Sequence, residues 1–402
     1  MIPSHAPRLL LVSNGHGEDL SGAHLGQALV RLGARAVAFP LVGHGEAYKR
    51  FGIPKAVSTR SFPTHGMGYQ SPGGWLQELV NGQTVYGLGR SITAARFARH
   101  CDAVVAVGDV VSVVVARLSR RPAFCYLVAY SSHYEGRLRL PWPCGRSLQN
   151  ERFLGVFSRD RYTAADLSTQ LGRRVEFLGN PFMDAVRVST VPLPVLPHPR
   201  VGLLPGSRLP EALDNLALML AMLLHLPRYL GGDSVGLAAG LVKDVTVDHL
   251  AAVAAKRGWR LQRHRPRCPG AAALELVHGS MRVELYWGRF ADVLHGCQLL
   301  VAMAGTATEQ AVGLEKPILQ MPGAGPQFTP RFAEAQRRLL GPAVFCGTGL
   351  PGSVVNAKDT ARLLMLLLQD GDLSTICLRT AHERIGRPGG SKAMAQAILS
   401  GA

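Results

Sequence analysis

The chain has 402 residues, 47% of them hydrophobic and 18% charged, and its 44 Lys and Arg against 27 Asp and Glu give a net charge of +17. This composition excludes a largely disordered chain, and the length exceeds one ordinary α/β domain, so two domains are expected. The charge favours anionic partners, but no block of Lys and Arg and no aromatic-rich RNA-binding motif is present, so nucleic acid is not an expected partner.

Arg8–Ser13 is an apolar run that ends in the turn Asn14-Gly15-His16-Gly17, and Leu20, Leu25, Leu29 and Leu32 then recur along one helical face. Strand, glycine turn and helix open a Rossmann-like unit. Further strands are predicted over 36–42, 102–107, 123–128, 153–157 and 175–178, with a helix over 159–171 and a loop-rich insert over 62–90. Residues 191–199 (VPLPVLPHP) are proline-rich and read as an extended linker. Strand and helix then alternate again: strands over 200–204, 235–239, 299–303 and 317–321, and helices over 211–226, 245–257 and 391–399. The continuous apolar character of the strands suits parallel sheets covered on both faces.

The expected class is α/β, with two doubly wound domains facing a central cleft. Their expected bounds are 1–187, a linker over 188–199, 200–372, and a helical segment over 373–402 that crosses back to the first domain. The apolar run at the start is too short for a signal peptide, and Leu216–Leu226 is too short to span a bilayer. Seven cysteines, without a CxxC pair, read as thiols of a reducing compartment rather than a metal site. The expected location is cytoplasmic, and at most peripheral on the inner face of the cell membrane. Two basic segments with aromatics, 134–146 and 256–267, suit contact with an anionic lipid surface.

Four motifs carry candidate chemistry. In SNGHGEDLSG (13–22), Asn14 and Gly15 form a turn facing the acceptor, while His16 and Glu18 stand where a general base is needed. Asp109 follows Gly108 at a strand end and either takes a proton or caps the next helix. Gly206, Ser207 and Arg208 in LLPGSR suit a diphosphate, which backbone donors and a forked guanidinium would hold. In AGTATEQ, Gly305 leaves room for a nucleotide, Thr306 and Thr308 can donate to phosphate, and Glu309 and Gln310 can reach sugar hydroxyls. Gln327 follows on the next glycine-rich loop.

In this order, SNGHGEDLSG, GD, LGNP, LLPGSR and AGTATEQ with GLEKP resemble lipid-A-disaccharide synthase, and more closely the branch of proteins related to it. The resemblance covers nearly the whole chain. It implies the GT-B fold and inverting transfer of a sugar from a UDP-sugar to a lipid-linked or glycolipid acceptor, with no metal and no cofactor. It places Asp109 near the acceptor, Arg208 near the donor and Gly305–Gln310 around the nucleotide. The family's glycine-histidine-proline turn is Gly179-Asn180-Pro181 here, so Asn180 falls on the acceptor side. The family's glutamate aligns with Gln310, and Glu309 lies one place earlier. A non-hydrolysing UDP-sugar 2-epimerase and a catalytically inactive binding module are the alternative readings.

Overall fold

The computed structural model describes residues 6–57, 83–134, 136–228, 234–323, 325 and 328–401. The chain divides into two compact units, one of residues 1–185 with 386–402 and the other of residues 186–385.

The first unit is built on five parallel strands: β1 Arg8–Ser13, β2 Arg35–Pro40, β3 Ala103–Val107, β4 Ala123–Leu127 and β5 Phe153–Ser158. Their order is β2-β1-β3-β4-β5. Each strand reads as an unbroken apolar run because both faces are covered. Leu9 and Leu11 enter one core with Phe124, Phe157 and Ile398, while Leu10 and Val12 enter the other with Phe39, Val104 and Cys125. Helix Gly390–Gly401 closes the first of these cores with Met394, Ala395 and Ile398. Burying a side chain of the size of Met394 or Ile398 contributes roughly 1.5–3 kcal/mol.

The second unit holds β6 Arg200–Leu204, β7 Gly236–Leu241, β8 Arg260–Arg263, β9 Leu274–His278, β10 Met281–Trp287, β11 Leu299–Ala302, β12 Ile318–Gln320 and β13 Val344–Cys346. Their order is β13-β12-β11-β6-β7-β10-β9-β8. The six strands from β13 to β10 run parallel. β9 and β8 add an antiparallel edge, so this sheet is mixed rather than wholly parallel.

Three expectations change. Residues 175–178 form no strand, and only Glu176 bridges to Phe157. The apolar helix ends at Leu223, three residues early. Of the expected insert, 62–82 lies outside the described residues, and the remainder belongs to helix Gln83–Phe97. The proline-rich segment is extended but not a free spacer. Asp292 accepts from the Ser189 amide at 2.8 Å and its hydroxyl at 2.9 Å. Arg200 donates to the Pro194 carbonyl at 2.8 Å, and Arg289 donates to the Val191 carbonyl. These bonds bind the segment to the second unit.

Candidate functional site

Each sheet reverses its winding once. In the first unit β1 is followed by β2 on one side and β3 on the other. In the second, β6 lies between β7 and β11. Ligands of open α/β sheets bind beyond the carboxyl ends of the strands at such points. The turns singled out from the sequence stand at both.

At the first, β1 runs into Asn14 and Gly15, and helix His16–Arg31 begins without a side-chain cap at Gly15. Glu18 is wedged between the two glycines of the site. A Cβ at Gly15 would lie 2.2 Å from Glu18 Oε2, and one at Gly108 would lie 2.5 Å from Glu18 Cγ. Gly108 also has φ +127, a backbone that only glycine adopts without strain. Glu18 keeps part of its surface open. Burial of its carboxyl, then the charge of Asp109, push its pKa up to about 8. It therefore exchanges protons near neutral pH, as a general acid or base must.

Asp109 is 2% exposed. Its Oδ1 accepts from the amides of Val111 at 3.0 Å and Ser112 at 3.4 Å, capping helix Val110–Leu118, and its Oδ2 accepts from Asn14 Nδ2 at 2.8 Å. Burial raises its pKa, and these donors oppose the rise. With both oxygens engaged, Asp109 fixes the turn and biases Glu18. The cap reading of this residue is the one its geometry bears, and the Asn14 amide is committed to the same task. The side chain of His16 lies outside the described residues.

Behind Glu18 is a buried trio that the sequence reading missed. Ser13 Oγ donates to Asp19 Oδ1 at 2.6 Å and lies 2.8 Å from Tyr48 Oη. Burial lifts Asp19 to about 7 and drives the Tyr48 phenol well above its ordinary range. Asp19 adjoins Glu18 in the motif, but only the fold brings in Tyr48. His133 was also missed: Nε2 lies 3.5 Å from Asp160 Oδ1, beyond the end of β4. A lone histidine in a loop gives no signal in sequence.

Asn180 is wholly buried. Its Oδ1 accepts from Tyr126 Oη at 2.6 Å and its Nδ2 donates to the Arg159 carbonyl at 2.9 Å. It ties the strand ends together, with both polar atoms of its side chain engaged inside its own unit.

At the second switch point, β6 ends in Pro205-Gly206-Ser207-Arg208. Gly206 has φ +108, and a Cβ there would lie 3.2 Å from the Met303 carbonyl. Ser207 is exposed and Arg208 half-buried. Among the described residues, no hydrogen bond or ion pair engages the Arg208 guanidinium. Glu211, its candidate partner, is buried and accepts from the Phe328 amide at 2.8 Å. Helices Glu211–Leu223 and Thr306–Gly313 both start without a side-chain cap. The Ala212 amide is taken by the Arg208 carbonyl at 2.8 Å and the Leu213 amide by Pro210 at 2.9 Å, so the open amides of this junction are those of Thr306 and Ala307.

The Gly305 turn is braced from behind. Gln336 Nε2 donates to the carbonyls of Ala304 at 3.1 Å and Gly305 at 3.0 Å, and its Oε1 accepts from Gln320 Nε2 at 2.6 Å. Thr308 is fully buried, and its hydroxyl donates to Ala304 at 2.7 Å, which removes it from the groups that can meet phosphate. Thr306 and Glu309 keep partial exposure, Gln310 is buried, and Gln327 lies outside the described residues. Among the described residues no cluster of three or more metal-ligating side chains occurs, and no helix is long and apolar enough to cross a membrane.

No family model matches the chain, and no curated protein matches it in sequence. Solved structures match it over nearly its whole length. The calicheamicin glycosyltransferase CalG4 aligns with TM-score 0.62 at 14% identity, covering 98% of each chain. The UDP-GlcNAc 2-epimerase of Neisseria meningitidis, solved with UDP-GlcNAc, aligns with TM-score 0.54 at 13% identity over 98% of this chain and 100% of its own. MnaA of S. aureus, solved with UDP, aligns with TM-score 0.54 at 14% identity over 98% and 96%. Two Rossmann-like units in this likeness make the fold GT-B.

Proposed function

We propose that this protein is an enzyme acting on a UDP-sugar, and that it transfers the sugar with inversion to a lipid-linked or glycolipid acceptor of the lipid-A-disaccharide synthase kind. The observation that carries this reading is the division of chemistry between the two switch points. One offers a proton-exchanging carboxyl, Glu18. The other offers open amides, glycine-lined turns and the guanidinium of Arg208.

In this reading Glu18 takes the proton of an acceptor hydroxyl, whose oxygen then forms a bond to the anomeric carbon. The bond from that carbon to the diphosphate oxygen breaks, and the charge that develops on UDP is met by Arg208 and the amides near Gly206 and Gly305. Asp109 and Asn14 hold the turn of Glu18 in place. The test is UDP release from a panel of UDP-sugars with and without glycolipid acceptors. Release that depends on an acceptor supports the transferase.

A second reading, UDP-sugar 2-epimerisation, is favoured by the fold likeness to the UDP-GlcNAc 2-epimerase. There Glu18 would exchange the proton at C2 of the sugar. Incubation in deuterium oxide without acceptor separates the two: a 2-epimerase gives epimerised, C2-deuterated sugar, and a transferase does not. If calorimetry finds no UDP binding, both enzymatic readings fail.

A further inference from the structure

The first unit carries a cavity of about 660 Å3 on the segment that follows β4, and none of its lining residues belongs to the β1–β3 switch point. The volume is that of a small-molecule site. Arg137, Arg139 and Arg146 line it with Gln149, and Leu140, Gly145 and Leu171 are its apolar lining. No lining residue is acidic. Among the described residues, no hydrogen bond or ion pair engages the guanidinium of Arg139 or Arg146. The carboxylate that Arg137 acts on, Asp166, stands at the edge of the cavity with its oxygens engaged, accepting from Ser132 Oγ at 2.6 Å and from two lining residues, the Leu138 amide at 2.7 Å and Gln170 Nε2 at 2.7 Å. Arg137 is partly offset by Asp166, whereas Arg139 and Arg146 have no acidic partner among the described residues, so the concavity keeps a positive potential that an anion would meet.

The cavity is preformed. Gln170 Nε2 donates to the Leu138 carbonyl at 3.0 Å, the Cys144 amide to Pro141 at 2.8 Å, and Arg173 to Leu148 at 2.8 Å. Between the arginines along the chain stands Trp142, 81% exposed. An indole so placed beside a basic hollow is at home at the boundary between lipid headgroups and acyl chains.

We propose that this cavity takes the phosphate of an anionic lipid headgroup, with Trp142 inserted in the membrane interface beside it. The assignment does not depend on the nucleotide-sugar reading, because it is tested with no nucleotide present. The full chain is sedimented with phosphatidylcholine vesicles and with vesicles that also contain phosphatidylglycerol, and its tryptophan emission is followed. Wild type binds only the anionic vesicles and its emission shifts to the blue. The shift is lost in Trp142→Phe. Replacing Arg137, Arg139 and Arg146 by Gln weakens binding roughly a hundredfold, about fivefold for each charge near the surface.

Gly145→Leu separates the cavity from diffuse charge. A Cβ at Gly145 would meet Leu171 and Leu140 at 3.8 and 3.9 Å, so the longer side chain fills the hollow and leaves the charge unchanged. It is expected to weaken binding as well, whereas Gln at Arg260, Arg263 and Arg267 of the second unit is not. Equal losses from the two sets of arginines, or full binding by Gly145→Leu, overturns the proposal. Binding of soluble glycerol phosphate by wild type with no binding of anionic vesicles overturns the lipid source.

Discussion

The two switch points occupy the same place in their sheets and differ in chemistry. At the β1–β3 junction glycines make room for a carboxyl: Gly15 and Gly108 close on Glu18, and burial lifts it to about 8. At the β6–β11 junction Gly206 lets the backbone pass close to the Met303 carbonyl, and the helix beginning at Thr306 has no side-chain cap. The difference teaches that a glycine turn at a strand end is not in itself a phosphate site. What lies beside the glycine differs between the two: a carboxyl side chain at the first, a backbone carbonyl at the second.

The largest effect is expected from Glu18→Gln, which keeps the shape of the turn and removes its titrating group. Turnover on the substrate identified by the panel should fall about 10²–10⁴-fold, and a rate within a fewfold of wild type would remove Glu18 from the chemistry. Arg208→Ala should lower turnover about 10²–10³-fold and weaken UDP binding by calorimetry, whereas Glu18→Gln should leave UDP affinity unchanged. If both variants lose UDP equally, the division of labour between the junctions is broken.

Gly108→Ala and Gly206→Ala impose similar backbone strain, about 1–3 kcal/mol by denaturant unfolding. Only the first should shift the pH dependence of turnover, because its new methyl displaces Glu18. The smallest effect concerns stability against pH. Asp19 is raised to about 7, so between about pH 4 and 7 the unfolded chain has ionised this group while the folded protein still holds its proton. That contribution to stability is complete at low pH and is lost as pH rises through this window. Asp19→Asn should therefore lose less stability than wild type on going from about pH 4 to about pH 9, measured by thermal unfolding.

Much of the scaffold was legible because β1, β3, β6 and β11 are apolar on both faces and end at glycine or a small-residue turn. The edge formed by β8, β9 and β10 was not. β8 is Arg260-Leu261-Gln262-Arg263, largely exposed, and a short polar edge strand has neither the apolar run nor the burial that marks an interior one. At the candidate site, sequence located Glu18, Asp109, Gly206 and Gly305 but could not rank them. Whether a carboxylate caps a helix or meets a ligand depends on where its oxygens end up, and both oxygens of Asp109 end up on donors of its own unit. The same holds for Thr308 and Asn180. Their polar ends turn inward onto carbonyls and Tyr126, and no spacing rule reports that. Tyr48 comes from a distant segment that only the fold brings against Ser13, and His133 meets Asp160 in the same way beyond β4.

Helix Gly390–Gly401 belongs to the unit that begins the chain, and it completes a core that it shares with Leu9, Leu11, Phe124, Phe157 and helix His16–Arg31. During synthesis the five strands beneath it emerge long before it does. That core must wait incomplete, covered by helix His16–Arg31 but not by the last helix, while some two hundred residues of the other unit (186–385) are made, and that other unit, being continuous, can finish first. On the ribosome the first half of this protein is thus the last to be completed, and a chain stalled short of its final helix presents a partly open hydrophobic face to chaperones.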